Sequence, residues 1–138
     1  MKSIRGRILI FGLLLILGLS FSVLFSQEKL SPEKVVGEWN VEIDAGGEFY
    51  YLNMTIEKAN GELRGTINEE SGYFQNLALS NIEFDGAILK FEFTAPTPPD
   101  DYERLLKAEF KVGENRLEGY VSAEDLGLTV SAVATRKK

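Results

Sequence analysis

The 138 residues include 15 Lys and Arg against 21 Asp and Glu, with no His and no Cys, and 44% of them are hydrophobic. A formal charge of −6 argues against a nucleic-acid or anionic-membrane surface as partner. Without His or Cys, imidazole bases, thiol nucleophiles, the common zinc sites, a disulfide framework and a lipid-modified cysteine are all excluded.

Lys2, Arg5 and Arg7 form a positive head, and residues 8–25 follow as an almost unbroken apolar run. At about 1.5 Å per residue this run makes roughly 27 Å of helix, against a hydrocarbon core of roughly 30 Å, so its length suits a cleaved leader and a retained anchor alike. Gly18, Ser20, Ser22 and the small Ser26 favour cleavage, whereas Leu24 and Phe25 are bulkier than the usual small-x-small site. Residues 1–26 are therefore expected to be a signal peptide or an N-terminal membrane anchor. Either way the remainder is expected outside the cytoplasm, periplasmic or secreted, and to touch membrane only through residues 8–25. Removing three of the 15 basic residues with the head leaves −9 against the 21 acids, a soluble acidic domain with no nucleic-acid partner expected. It is long enough for one packed core but not for two.

The domain is expected to occupy residues 33–138. Residues 33–38 read as a short helical turn that Pro32 is well placed to start. From there the pattern has period two. Trp39, Val41 and Ile43 alternate with Asn40, Glu42 and Asp44, as in a strand with one buried face, and Ala45-Gly46-Gly47 is the first turn. The second strand, residues 49–58, puts Tyr50, Leu52, Met54 and Ile56 on one face. Asn60-Gly61 then supplies the type I′ hairpin signal, and Leu63, Gly65 and Ile67 point inward on the third strand. A fourth strand is expected over residues 74–80, with 81–85 continuing it or forming an edge segment before the Asp85-Gly86 turn. The fifth covers residues 88–94, with Leu89, Phe91 and Phe93 on one face. Pro96, Pro98 and Pro99 mark residues 95–101 as a loop. Residues 102–112 contain good helix formers, but Ala108, Phe110 and Val112 keep the period-two beat, so a strand is expected. Leu117, Gly119 and Val121 form the seventh strand, and Leu128, Val130, Ala132 and Ala134 the eighth.

A faint internal echo supports this parsing. Leu63-Arg64-Gly65-Thr66-Ile67 and Leu117-Glu118-Gly119-Tyr120-Val121 each follow a turn, and each places a glycine two after the leucine, where a missing side chain permits a sharp bend or close packing. About eight short strands with tight links and no crossover helix point to an all-β fold, a small antiparallel up-and-down barrel. Gly37-Glu38-Trp39 at the start of the first strand resembles the Gly-x-Trp signature of the lipocalin-like (calycin) barrels. That resemblance implies a Trp plugging one end with an arginine from the last strand packed across it. Arg136 is the first candidate for this arginine and Arg116 the second. The Gly-x-Leu-x-Gly pattern at residues 61–65, its Leu-x-Gly echoed at 117–119, and Asp-Gly-x-x-Leu-x-Phe at 85–91 are similar to small bacterial lipocalin-like domains over residues 36–136, which implies a barrel but no particular ligand.

Two functional readings follow. If the interior is hollow, Tyr50, Leu52, Met54, Leu89, Phe91 and Phe93 would line a site for a small hydrophobic ligand, uncharged or cationic. If they fill the core, the protein is a structural or protein-interaction module of the cell envelope, with exposed Tyr51 and the stiff loop at residues 94–102 as contact surfaces. No cofactor, metal or catalytic activity is expected. Glu69-Glu70, Asp100-Asp101-Glu103 and Glu124-Asp125 all fall in or beside turns, where acids serve solvation.

Overall fold

The computed structural model describes residues 29–138, so the expected leader at residues 1–26 lies outside the described residues. A short 3-10 turn, Pro32–Lys34, leads into nine strands. These are β1 (Gly37–Ala45), β2 (Glu48–Ala59), β3 (Glu62–Glu69), β4 (Leu77–Ala78), β5 (Ser80–Phe84), β6 (Ile88–Thr97), β7 (Tyr102–Val112), β8 (Arg116–Ala123) and β9 (Leu128–Arg136). They form one antiparallel sheet in the order β4-β3-β2-β1-β9-β8-β7-β6-β5, in which the first and last long strands pair, Trp39 opposite Arg136. Strands β4 and β5 end that order yet adjoin in the chain at Leu79, whose N–H donates to the Gly65 carbonyl at 2.9 Å. The sheet thereby closes almost completely on itself, the up-and-down barrel that the alternation predicts.

Why these residues form strands is visible in their burial. Trp39, Val41 and Ile43 on β1, Leu52, Met54 and Ile56 on β2, and Leu89, Phe91 and Phe93 on β6 are all buried, with exposed or half-buried residues between them. Asn60 and Gly61 both have positive φ, 53° and 79°, as the I′ hairpin requires. Gly119 sits where an added Cβ would lie 1.8 Å from the Glu109 carbonyl oxygen, and at Gly65 it would lie 2.7 Å from the Thr55 carbonyl oxygen. The echoed glycines thus mark two places where neighbouring backbones approach too closely for any side chain.

Two strand boundaries differ from expectation. The fourth strand is split, with β4 reduced to Leu77–Ala78 and β5 starting at Ser80, because Leu79 turns inward between them to join the seam; this gives nine strands where about eight are expected. Strand β6 runs on through Ala95, Pro96 and Thr97, so the loop expected to begin at residue 95 begins three residues later. A proline is tolerated there because pairing of β6 with β5 ends at Glu92, leaving Pro96 on a strand paired only with β7.

One end of the barrel is sealed. Trp39 is fully buried and donates from Nε1 to the Val35 carbonyl at 3.0 Å, while the Arg136 guanidinium lies 4.3 Å from the centre of its ring. Arg136 also donates to the carbonyls of Val36 and Lys34, both at 2.8 Å, tying β9 to the entering chain. Gly37 makes room for this clamp, since a Cβ there would meet Arg136 Nη1 at 2.6 Å. Arg116, the other candidate, instead pairs with Glu118 at 2.5 Å on the exposed face. The entering chain joins at this same end, where Leu30 N–H donates to the Gly86 carbonyl at 2.9 Å.

Candidate binding pocket at the open end

At the opposite end the strands splay around a pocket of about 340 Å³. Strand β2 contributes Glu48, Tyr50 and Leu52, and Glu69 of β3 stands opposite Leu52 in the register. Across from them, Val121, Ala123, Leu126, Leu128 and Val130 form an apolar wall from β8, the 3-10 turn Glu124–Leu126 and β9. Pro96, Pro98 and Pro99 complete the rim, so the proline segment is part of the pocket. Phe93 and Phe74 form the floor, their ring centres 6.4 Å apart, and below them Phe91 stacks on Phe110 at 6.0 Å.

The six interior candidates divide between two levels. Tyr50, Leu52 and Phe93 line the pocket, whereas Met54, Leu89 and Phe91 lie beneath it, at most 2% exposed, in a filled core. Hollow and solid interiors therefore both occur, in different halves of one barrel. Small side chains, Ala45, Ala123, Val121 and Val130, leave space on one wall of the upper half, while Trp39, Met54, Ile56 and Phe110 are fully buried in the lower.

Several lining residues escape the sequence reading although their strand parity carries them. Glu48 continues the inward set Tyr50, Leu52, Met54, and Glu69 continues Leu63, Gly65, Ile67. Leu126 and Leu128 flank Gly127 in an acidic turn and remain 44% and 49% exposed, an uncommon place for two leucines unless they face a cavity.

The polar groups of the rim are held in defined states. Glu69 accepts from the Ser71 hydroxyl at 2.5 Å and from the backbone N–H of Ser71 and Tyr73 at 2.9 and 3.0 Å; these bonds, the Ser71 hydroxyl foremost, hold it below the usual carboxylate range. The Tyr50 hydroxyl donates to Glu48 Oε2 at 3.1 Å, and burial first, then Glu48, raises its pKa. The Tyr73 hydroxyl donates to Asp101, clasping the β3–β4 segment to the β6–β7 turn, and this bond pushes the phenol up to about 12. Within that turn Asp100 accepts two bonds from Arg104, both 2.7 Å, which bring it down to about 2, and Arg104 also donates to Thr97 Oγ1 at 2.6 Å.

Of the other turn acids, Glu124 pairs with Lys107 at 2.9 Å. Among the described residues no group of three or more acids is arranged to hold a metal ion. Tyr51 stands on the outer wall, 48% exposed, beside the equally exposed Phe49 on β2.

No family model, curated protein or solved structure matches this chain. The barrel is consistent with a lipocalin-like fold on its architecture and its Trp–Arg seal, without a shown family.

Proposed function

We propose that the protein is a non-catalytic binding barrel that works outside the cytoplasm and takes a small, largely apolar molecule into its open end. The observation that carries this reading is the pocket itself: about 340 Å³, floored by phenylalanines, walled by aliphatic side chains and provided with a few polar groups on one side. This is the composition of small-ligand sites, at the lower end of their usual size. The charged head and apolar run at residues 2–25 support export. Because Leu30 joins the barrel at the sealed end, an anchor retained before it would turn the pocket away from the membrane.

The test is fluorescence of N-phenyl-1-naphthylamine, a neutral apolar reporter that brightens on leaving water. The wild-type protein is expected to bind it saturably, and Ala123→Phe, which fills the pocket from its apolar wall, to abolish the signal while the circular dichroism spectrum stays unchanged. Absence of any saturable signal in the wild type would remove the reading. The alternative, an envelope interaction module, is favoured by the paired exposure of Phe49 and Tyr51 on the outer wall. Under it, Phe49→Ser with Tyr51→Ser would abolish recovery of a crosslinked partner, and the reporter would find no site.

A further inference from the structure

We infer that the pocket is built for an organic cation, a molecule with an apolar body and an ammonium-type head, the head seated against Glu48, Glu69 and the phenol rings of Tyr50 and Tyr73. This inference rests on the binding reading above and adds the ligand's charge.

The lining is asymmetric. Among the described residues its charged side chains are Glu48 and Glu69, both acidic and from the adjacent strands β2 and β3. Tyr50 and Tyr73 stand on the same side, while the far wall is aliphatic. The cation of the rim, Arg104, is committed to Asp100 and Thr97 and does not line the pocket. An anionic ligand would thus lie beside two carboxylates with no compensating cation, and desolvating it there is unfavourable. A neutral ligand meets no such penalty but draws nothing from the two carboxylates, which keep only their bonds to Tyr50 and to the Ser71–Tyr73 turn. A cation gains on both counts, since carboxylates attract it and the faces of phenol rings favour it, ammonium heads especially. The bonds that Glu69 accepts from its own turn keep it ionised at neutral pH and occupy Oε2, leaving its charge available to a neighbour. The surplus of acidic over basic residues adds long-range attraction of the same sign.

Three displacers of one chain length separate the possibilities: decyltrimethylammonium, decanol and decyl sulfate, each titrated below its micelle concentration against bound N-phenyl-1-naphthylamine, with the protein in the form its own cell produces. The ammonium is expected to displace the reporter at a concentration at least about tenfold below that of the sulfate, equivalent to about 1.4 kcal/mol. Glu48→Gln should cut that advantage to about threefold, Glu48→Gln with Glu69→Gln should remove it, and salt should shrink it in the wild type. Glu62→Gln, at the sealed end, should leave it intact, which separates a local site from overall charge. Should Glu69→Gln disturb the turn it organises, Glu48→Gln decides alone, because among the described residues the Glu48 side chain bonds only the Tyr50 hydroxyl. Equal displacement by ammonium and sulfate, or an advantage that survives Glu48→Gln unchanged, overturns the cation assignment and leaves the pocket standing. A reporter that never binds overturns both.

Discussion

The sealed and open ends of this barrel are made by the same strands, and they differ in what the inward positions carry. At the sealed end Trp39, Met54, Ile56 and Phe110 fill the cross-section, and Arg136 closes it from outside with a cation over the indole and two bonds to backbone carbonyls. At the open end a wall of alanines, valines and half-exposed leucines faces Tyr50, Phe74 and Phe93 across a gap, and the rim is held by the clasp of Tyr73 to Asp101 and by the Asp100–Arg104 pair within the β6–β7 turn. Close packing is where a core gains its stability, so the sealed half holds the fold and the open half is released from that duty. A small domain without disulfides can be hollow at one end only if the other is packed this completely.

The contrast is broken most severely at Trp39. Trp39→Ala is expected to cost about 3–5 kcal/mol, read as a shift in the denaturant midpoint, because the indole is fully buried and its loss leaves a large cavity. Gly119→Ala comes next, at roughly 2–3 kcal/mol, since its Cβ would collide with the Glu109 carbonyl and the β7–β8 pairing must shift. Arg136→Met should cost roughly 1–3 kcal/mol by the same measurement, through loss of the cation–π contact and the two carbonyl bonds, and Arg136→Lys should recover less than half of that.

Smaller effects belong to the mouth. Asp100 is depressed from 3.8 to about 2, so its bond to Arg104 contributes fully above about pH 4 and is lost as pH falls toward 2. Tyr73 is raised from 10.0 to about 12, so its bond to Asp101 is complete below pH 10 and is lost as pH climbs through about 12. Amide resonances of residues 97–104 should therefore shift at both extremes, while the Trp39 indole resonance stays in place until global unfolding. An indole that titrated together with the rim would show the two ends to be one cooperative unit. The smallest change in stability is expected for Leu126→Ser with Leu128→Ser, within about 0.5 kcal/mol because both side chains are already half exposed, yet reporter affinity should fall severalfold.

Much of this molecule was legible residue by residue. Alternation placed Trp39, Leu52, Phe91 and Ala132 on the inner face, and the Asn60-Gly61 turn, the strand assignment of residues 102–112 and the echoed glycines all agree with the structure. The site was legible in half. Tyr50, Leu52 and Phe93 line the pocket as expected and Leu128 stands on the last strand as expected, but Glu69 was read as a turn acid and Glu48 and Leu126 carried no signal, because local context makes an acid or a small turn look solvated whichever way it faces. Pro96 was misplaced in a loop for a related reason: a proline is excluded only where a neighbouring strand faces its missing N–H, and Pro96 lies on a stretch of β6 with a neighbour on one side only.

By itself the sequence determined which side chains share a face, where the tight turns fall and that one end carries a tryptophan. These are period-two and nearest-neighbour properties, and a chain written in one dimension contains them. Only the tertiary structure decided that Arg136 and not Arg116 covers Trp39, that Leu79 closes the seam, and which inward residues stand at which height in the barrel. Height depends on the register between strands far apart in the chain, and it is height that separates the filled core from the pocket.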